Sequence, residues 1–208
     1  MTIRDAIRKR FSVRRFTGRP VSDEAIQEIL ESAVLAPSSV NIQPWRFVVV
    51  RDPERKRRLR KAAYDQAHVE EAPVVIACCA DTRACDRLAE LVEAWVRELG
   101  DPASRISDLV PGLRTDPVLR RCVAVRNTYI AIEHMALTAT ALGLGSCWME
   151  GFHPERVKEI LGLPDGIEVA ALMPVGYTDQ EAPPKDRLPV SRVCFSEVYG
   201  NPWSPGSP

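Results

Sequence analysis

The segment that most limits the possible folds is the apolar run APVVIACCAD, residues 72–81. A continuous apolar run of this length is typical of a β-strand buried in a protein core. It is too short to cross a bilayer as a helix, which needs about 20 apolar residues. We therefore predict a protein built around a buried strand.

Two further segments, WRFVVVRD at 45–52 and IEVAALMPVGY at 167–177, are also predicted to be buried strands. Helices are predicted for the segments around them, from apolar residues at helical spacing and from the capping residues Thr2 and Ser22. The predicted helices cover residues 2–10, 22–36, 53–63, 84–99, 118–142 and 152–164. Residues 100–117 carry three prolines and two glycines and are predicted to form a loop.

Composition excludes several classes of function. Lys and Arg together number 28, as do Asp and Glu, so the chain lacks the overall basic field that general binding of nucleic acids or membrane surfaces needs. With 208 residues, 45% of them hydrophobic, the chain can bury one large core, and we expect a single domain. Because the N-terminus has no apolar signal region, we expect a cytoplasmic protein.

Common catalytic and metal-binding patterns are absent from the sequence. The six cysteines form no C-x-x-C pair and the three histidines lie apart, so we predict neither a zinc site nor a disulfide framework. Gly143 and Gly145 follow a predicted helix rather than a strand, and the third glycine of a dinucleotide-binding fingerprint is missing. The basic run RDPERKRRLRK, 51–61, leaves a nucleic-acid-binding module as an alternative from another class of function, although the run has no interleaved aromatic residue.

Four polar or glycine-containing segments remain as candidate binding sites. RFSVRRF, 10–16, places three arginines beside a serine, a combination that can hold a phosphate through charged hydrogen bonds or simply form a solvated cluster. APSSVNIQPW, 36–45, offers two hydroxyls and two amides between prolines. GLGSCWMEGF, 143–152, lets the backbone approach a ligand closely, and PPKDRLP, 183–189, carries two cations on one side if it is extended.

Taken in this order, the four segments resemble the FMN-dependent nitroreductase family. The family's R-x-S-x-R-x-F motif is matched by residues 10–16, its P-S-S-x-N-x-Q-P-W motif by residues 37–45, and its late K-x-R by residues 185–187. The segments AYDQAHVEEAPVVIACCAD and ALGLGSCWMEGF are similar to two further family segments. The resemblance spans residues 4 to about 190, and P-S-S-x-N-x-Q-P-W is its most specific part.

The resemblance implies a fold, a cofactor and a set of cofactor-binding residues. The implied fold is α+β, a three-layer α-β-α sandwich with a central mixed, mainly antiparallel sheet. It implies a homodimer with FMN at the subunit interface and a C-terminal arm, about 180–208, wrapped around the partner. A lid or insert is expected at about 84–117, with 100–117 bordering the substrate pocket. The implied FMN-binding residues are Arg10, Phe11, Ser12, Arg14, Pro37, Ser38, Ser39, Asn41, Gln66, Met149, Glu150, Gly151, Lys185 and Arg187.

Each group of these residues has an implied role. The phosphate of FMN would be held by the first motif and the late K-x-R, residues 37–41 would reach FMN from the other subunit, and Gln66 would meet the pyrimidine edge of the ring. The implied reaction is a ping-pong transfer of hydride from NADH or NADPH through FMN to a nitroaromatic, a quinone or another small acceptor, without a catalytic side chain or a metal. Enone reduction, dehalogenation and flavin fragmentation are other chemistries of the family and stay open.

Overall fold

A central four-stranded sheet organises the fold, which we describe from a computed structural model covering residues 1–99 and 110–206. The strands are β1 (Trp45–Val50), β2 (Val74–Asp81), β3 (Gly145–Ser146) and β4 (Ile167–Gly176). Their order in the sheet is β1-β2-β4-β3, and all neighbours pair antiparallel. A single parallel bridge between Ser12 and Ser146 adds the N-terminal segment at the β3 edge, so the expected mixed, mainly antiparallel sheet is confirmed.

The longer helices lie close to the ranges predicted from the sequence, and the structure has further short helices that were not predicted. They are α1 (Ile3–Lys9), α2 (Asp23–Val34), α3 (Pro53–Ala62), α4 (His68–Glu71), α5 (Ala84–Leu99), α6 (Val110–Thr115), α7 (Pro117–Ala141), α8 (Pro154–Leu161) and α9 (Val190–Val193). The Thr2 hydroxyl accepts a hydrogen bond from the N–H of Asp5, and Ser22 caps α2 in the same way. Both predicted caps are therefore confirmed.

The side chains of β2 point alternately to the two faces of the sheet, and helices cover both faces, which gives three layers. Ile76, Cys78 and Ala80 point into a core that α2 and α7 cover. Val75 and Cys79 point into a second core that α3 and α8 cover. Both faces of β2 are consequently buried, which explains why its sequence is apolar throughout rather than alternating.

The loop predicted for residues 100–117 is wrong in its last part, and residues 100–109 lie outside the described residues. Residues 110–115 form α6, and Asp116 caps α7 by accepting the N–H groups of Val118 and Leu119. Val110 and Leu113 are buried against α5 in a small separate core. Proline is tolerated in the first turn of a helix, where Pro111 lies, and burial of the apolar pair outweighs the low helix propensity of Gly112.

Candidate functional site

The N-terminal motif lies along the edge of the sheet. The Val13 N–H donates to the Ser146 carbonyl oxygen over 3.0 Å, which places the segment beside β3. A Cβ atom at Gly145 would lie 2.6 Å from Val13 Cγ2, so this approach requires glycine. Arg10 is the residue that ends α1, and its side chain therefore projects from the point where helix and edge segment meet.

The late K-x-R meets Arg10 at this point. Lys185, Arg187 and Arg10 line a cavity of about 370 Å³ together with Ile7, Arg8 and Glu133. The Lys185 Nζ donates to the carbonyl oxygen of Ile7 over 3.2 Å and to that of Arg8, both in the last turns of α1. Arg10 and Lys185, which are 175 positions apart in the chain, thus share one cavity.

The electrostatics of this cavity favour an anion. Partial desolvation of the Lys185 ammonium lowers its pKa, and the positive charges of Arg10 and Arg187 lower it further. The lining includes one carboxylate, that of Glu133, which lies 3.9 Å from Arg10 Nε and is about half exposed. Cations that face each other in a concave site are stabilised by a bound anion, and the three donors suit a phosphate.

Arg14 lies outside this cavity. Its backbone N–H donates to the Gln180 side-chain oxygen over 3.1 Å. Burial lowers the pKa of His68 and raises that of Cys147, and the Arg14 charge lowers both, which places the guanidinium near these two side chains. Its phosphate contact remains a prediction, because the structure brings Arg10 rather than Arg14 to the other cations.

Gln66 and the 149–151 segment form a second part of the site. Gln66 Nε2 donates to the Ala63 carbonyl oxygen over 3.0 Å and to the Gly151 carbonyl oxygen over 2.9 Å. Since both amide hydrogens are used, Gln66 Oε1 is the atom left to accept from a ligand. Met149 pairs with Leu172 of β4 through two backbone hydrogen bonds of 3.1 and 3.0 Å, so the segment rests on the sheet.

Sequence reasoning did not single out Tyr129, which holds this segment from the other side. The Tyr129 hydroxyl donates to Glu150 Oε2 over 2.9 Å, and its ring packs on Trp148 with 5.1 Å between centroids. Burial and the contact with Glu150 raise the pKa of Tyr129 to about 12, so the hydroxyl stays protonated at neutral pH. An aromatic residue one helical turn after Val125 was the available signal.

The predicted 37–41 segment lies apart from the cation cavity within one chain. Ser39 donates to Asn127 Oδ1 from its N–H over 2.7 Å and from its hydroxyl over 3.2 Å. Asn127 is buried on α7, six positions before Glu133, which corresponds to about 9 Å along the helix axis. Among the described residues, no hydrogen bond or ion pair joins residues 37–41 to the cavity.

A cavity of about 850 Å³ adjoins Tyr129. It lies between α6, the first half of α7 and the ends of β2 and β4. Its polar lining includes Thr82, Arg121, Arg126 and Glu168. Tyr129 thus contacts both this cavity and, through Glu150, the 149–151 segment.

Among the described residues, the cysteines and histidines form no catalytic or metal-binding centre. Burial raises the pKa of Cys78 strongly and that of Cys79 to about 12, so neither is a thiolate nucleophile at neutral pH. In residues 1–99 and 110–206 there is no cluster of metal-ligating side chains. The same ranges contain no helix of the length and hydrophobicity that a membrane span requires.

Comparison with known proteins gives consistent matches. The model of the family described as "Nitroreductase family" matches residues 7–177. A protein named NADH dehydrogenase from Thermus thermophilus is 44% identical over 188 residues, which are 90% of this chain and 92% of that protein. The crystal structure of a nitroreductase family protein from Streptococcus pneumoniae superposes with a TM-score of 0.76 at 29% identity, covering 94% of this chain and 100% of the other. A protein from Exiguobacterium sibiricum, assigned as a nitroreductase and solved in complex with FMN, gives 0.75 at 27%, covering 95% and 98%.

Proposed function

Because the chain belongs to the nitroreductase family, we propose that it binds FMN and uses NAD(P)H to reduce a small acceptor such as a nitroaromatic or a quinone. The observation that carries this proposal is the convergence of Arg10, Lys185 and Arg187 on one cavity with a single carboxylate. Such a donor set fits the phosphate of FMN, because two guanidinium forks and an ammonium can share its negative charge.

The rest of the site fits the flavin ring. Gln66 Oε1 would accept from a ring N–H of the pyrimidine edge, and the backbone of Met149, Glu150 and Gly151, to which Gln66 is hydrogen-bonded at Gly151, would hold the ring from one side. When bound, FMN supplies the hydride-accepting and hydride-donating centre of the reaction. The chain's own residues hold the phosphate, orient the ring and keep the 149–151 backbone in place through Tyr129 and Leu172.

The acceptor is proposed to use the large cavity beside Tyr129. This cavity borders α6 and the start of α7, the region expected to cover the flavin. It is lined by three arginines of α7, at positions 120, 121 and 126, so acceptors with electron-rich or anionic substituents suit it. If reductant and acceptor take turns at the same ring face, the kinetics follow a ping-pong pattern.

We also propose a homodimer in which each subunit completes the other's FMN site. Residues 37–41 lie apart from the cation cavity of their own chain, and in this proposal they contact the FMN of the partner subunit. The C-terminal arm carries apolar side chains that this chain leaves open to solvent, Val190, Val193, Val198 and Tyr199, the last 91% exposed. Exposed apolar residues of this kind suit a subunit interface, which we place along α7 and the arm. A cytoplasmic location remains a prediction.

A spectrum and a sedimentation run test the proposal together. The purified protein, incubated with FMN and desalted, is expected to be yellow, to oxidise NADH or NADPH when menadione is added, and to sediment at about twice the 23.2 kDa chain mass. Kinetics at several menadione concentrations should give parallel double-reciprocal lines. A colourless protein after this treatment would refute FMN binding, and a yellow monomer would refute the shared site.

A further inference from the structure

The proposed function leaves a second cation cluster unused. Arg58 and Lys61 of α3 and Arg156 of α8 line a cavity of about 250 Å³, completed by Ala62, Glu159 and Ile160. The two helices lie side by side because Leu59 and Val157 share the same core beneath them. This cluster contains Arg58 and Lys61 of the basic run 51–61.

The cations of this cluster differ from Arg57 and Arg60 of the same helix in having no ion-pair partner. Arg57 pairs with Glu54, and Arg60 pairs with Asp65 at 2.8 Å and Glu70 at 3.2 Å. Among the described residues, by contrast, Arg58, Lys61 and Arg156 take part in no ion pair. Glu159 is the one carboxylate of the lining, so the cavity carries an excess of positive charge.

An aromatic pair connects this cluster to the proposed flavin site. The Tyr64 and His153 rings lie 4.5 Å apart, and the His153 N–H donates to the Ala62 carbonyl oxygen over 2.8 Å. Ala62 lines the cation cavity, whereas Gly151, two residues before His153, accepts the hydrogen bond of Gln66. Tyr64 is two residues from both Ala62 and Gln66, and His153 is two residues from Gly151, so the ring pair adjoins both the cation cavity and the proposed flavin edge.

The Tyr64 ring is exposed to solvent, and the residue has an unusual backbone conformation. Tyr64 and Asp65 have φ angles of 53° and 61°, a conformation that non-glycine residues rarely adopt. The pairing of Arg60 with Asp65 holds this turn against α3, and Tyr64 remains 59% exposed. A flat aromatic surface of this kind can stack an adenine base.

Resting on the proposed function, we propose that the Arg58–Lys61–Arg156 cluster binds the 2′-phosphate of NADPH, with the adenine stacked on Tyr64. The nicotinamide then lies toward Gly151 and the flavin, and the adenosine end extends over the aromatic pair to the cations. Guanidinium groups bind phosphate through paired, charged hydrogen bonds. NADH has no 2′-phosphate, so the cluster distinguishes the two reductants and makes NADPH the preferred one.

Steady-state kinetics on the FMN-loaded protein test this assignment. In the double variant Arg58→Ser/Arg156→Ser, the KM for NADPH is expected to rise by about tenfold or more, because two charged hydrogen-bonding groups are lost. The KM for NADH and the rate with saturating menadione are expected to stay within about twofold. The matched control is Arg57→Ser, which removes a cation of the same helix outside the cavity and is expected to change neither KM.

A direct binding measurement complements the kinetics and does not depend on turnover. Calorimetric titration of the wild-type protein with adenosine 2′,5′-bisphosphate is expected to show tighter binding than titration with AMP, and the double variant is expected to lose the difference. Equal binding of the two nucleotides, or equal changes for NADPH and NADH, would refute the 2′-phosphate site. Displacement of the bisphosphate by duplex DNA at equal phosphate concentration would instead indicate a general polyanion surface and refute it as well.

The outcomes separate this inference from the proposed function. FMN retention and NADH-driven menadione reduction test the proposed function alone. If both are present while NADPH has no advantage, only the 2′-phosphate assignment fails. If the protein neither keeps FMN nor oxidises NADH, the proposed function fails, whatever the nucleotide titration shows.

Discussion

Gln66 donates a hydrogen bond from Nε2 to the Gly151 carbonyl oxygen over 2.9 Å, joining two residues that are 85 positions apart. The contact connects the turn after α3 with the segment after β3 and aligns them as one edge of the proposed ring site. A Cβ atom at residue 151 would lie 3.3 Å from Gln66 Nε2, so a larger residue would require the Gln66 carboxamide to shift by a few tenths of an ångström.

Substitution of Gln66 is therefore expected to weaken binding of the ring rather than of the phosphate. Gln66→Ala removes the tie to Gly151 and the free carboxamide oxygen, each worth about 0.5–1.5 kcal/mol. We expect the Kd for FMN to rise roughly tenfold, and the Kd for riboflavin to rise by the same factor. Fluorescence titration of the apoprotein with both ligands measures this. Loss of FMN affinity without loss of riboflavin affinity would contradict the role given to Gln66.

Asn127 is expected to control the 38–41 segment. Its Oδ1 accepts both hydrogen bonds from Ser39, and its Nδ2 donates to the Val123 carbonyl oxygen over 2.8 Å. Asn127→Ala leaves the Ser39 N–H without its partner, which costs about 1–3 kcal/mol. We expect a lower urea midpoint and weaker FMN binding, because the segment would no longer be presented correctly to the partner subunit.

The control for this prediction is Asn127→Asp, which retains the oxygen acceptor for Ser39 and loses the amide donor to Val123. It is expected to preserve FMN binding better than Asn127→Ala. If both variants bind FMN like the wild type while losing stability equally, the 38–41 segment has no part in the cofactor site.

The Asp86–Arg120 pair is expected to make the docking of α5 sensitive to acid. Arg120 donates to both carboxylate oxygens of Asp86, over 2.7 and 3.0 Å, and this hydrogen bonding holds the pKa of Asp86 below its usual range. A carboxyl with a lowered folded-state pKa contributes stability above its unfolded pKa of about 3.9 and loses it as the pH falls through the folded value. The stability difference between wild type and Asp86→Asn should therefore be constant from pH 7 to 5, begin to shrink below about pH 3.9, and disappear only once the pH is below the lowered pKa of the folded state. Urea unfolding at these pH values measures it, and a difference that grows in acid would contradict the assignment.

The strands and most helices could be predicted from the sequence because their signals are local. β2 is buried on both faces and is consequently apolar throughout, and α1 and α2 begin at side chains that cap them. α6 and the two-residue β3 were missed, because tertiary packing stabilises them. Gly112 disfavours a helix locally, and Gly145 has no strand propensity of its own.

The candidate site was predictable only in part. Arg10, Lys185 and Arg187 come from the two ends of the chain, so residue chemistry suggested a phosphate at Arg10 but could not bring Lys185 to it; the family resemblance did. Tyr129 and Asn127 act through contacts with Glu150 and Ser39 that depend on the packing of α7. Such partners follow from the fold and not from spacing along the sequence.

The most direct test of the account is a paired titration of the apoprotein with FMN and riboflavin, for wild type and Arg187→Ala. If Arg187 shares the phosphate, losing its charged hydrogen bonds, worth about 1.5–3 kcal/mol, should raise the Kd for FMN by roughly tenfold to over a hundredfold. The Kd for riboflavin, which has no phosphate, should stay unchanged, as should both values in the control Arg55→Ala, an exposed arginine of α3 outside the cavity and outside the C-terminal arm. An FMN affinity equal to that of the wild type, or equal losses for FMN and riboflavin, would contradict a phosphate site at Arg10, Lys185 and Arg187.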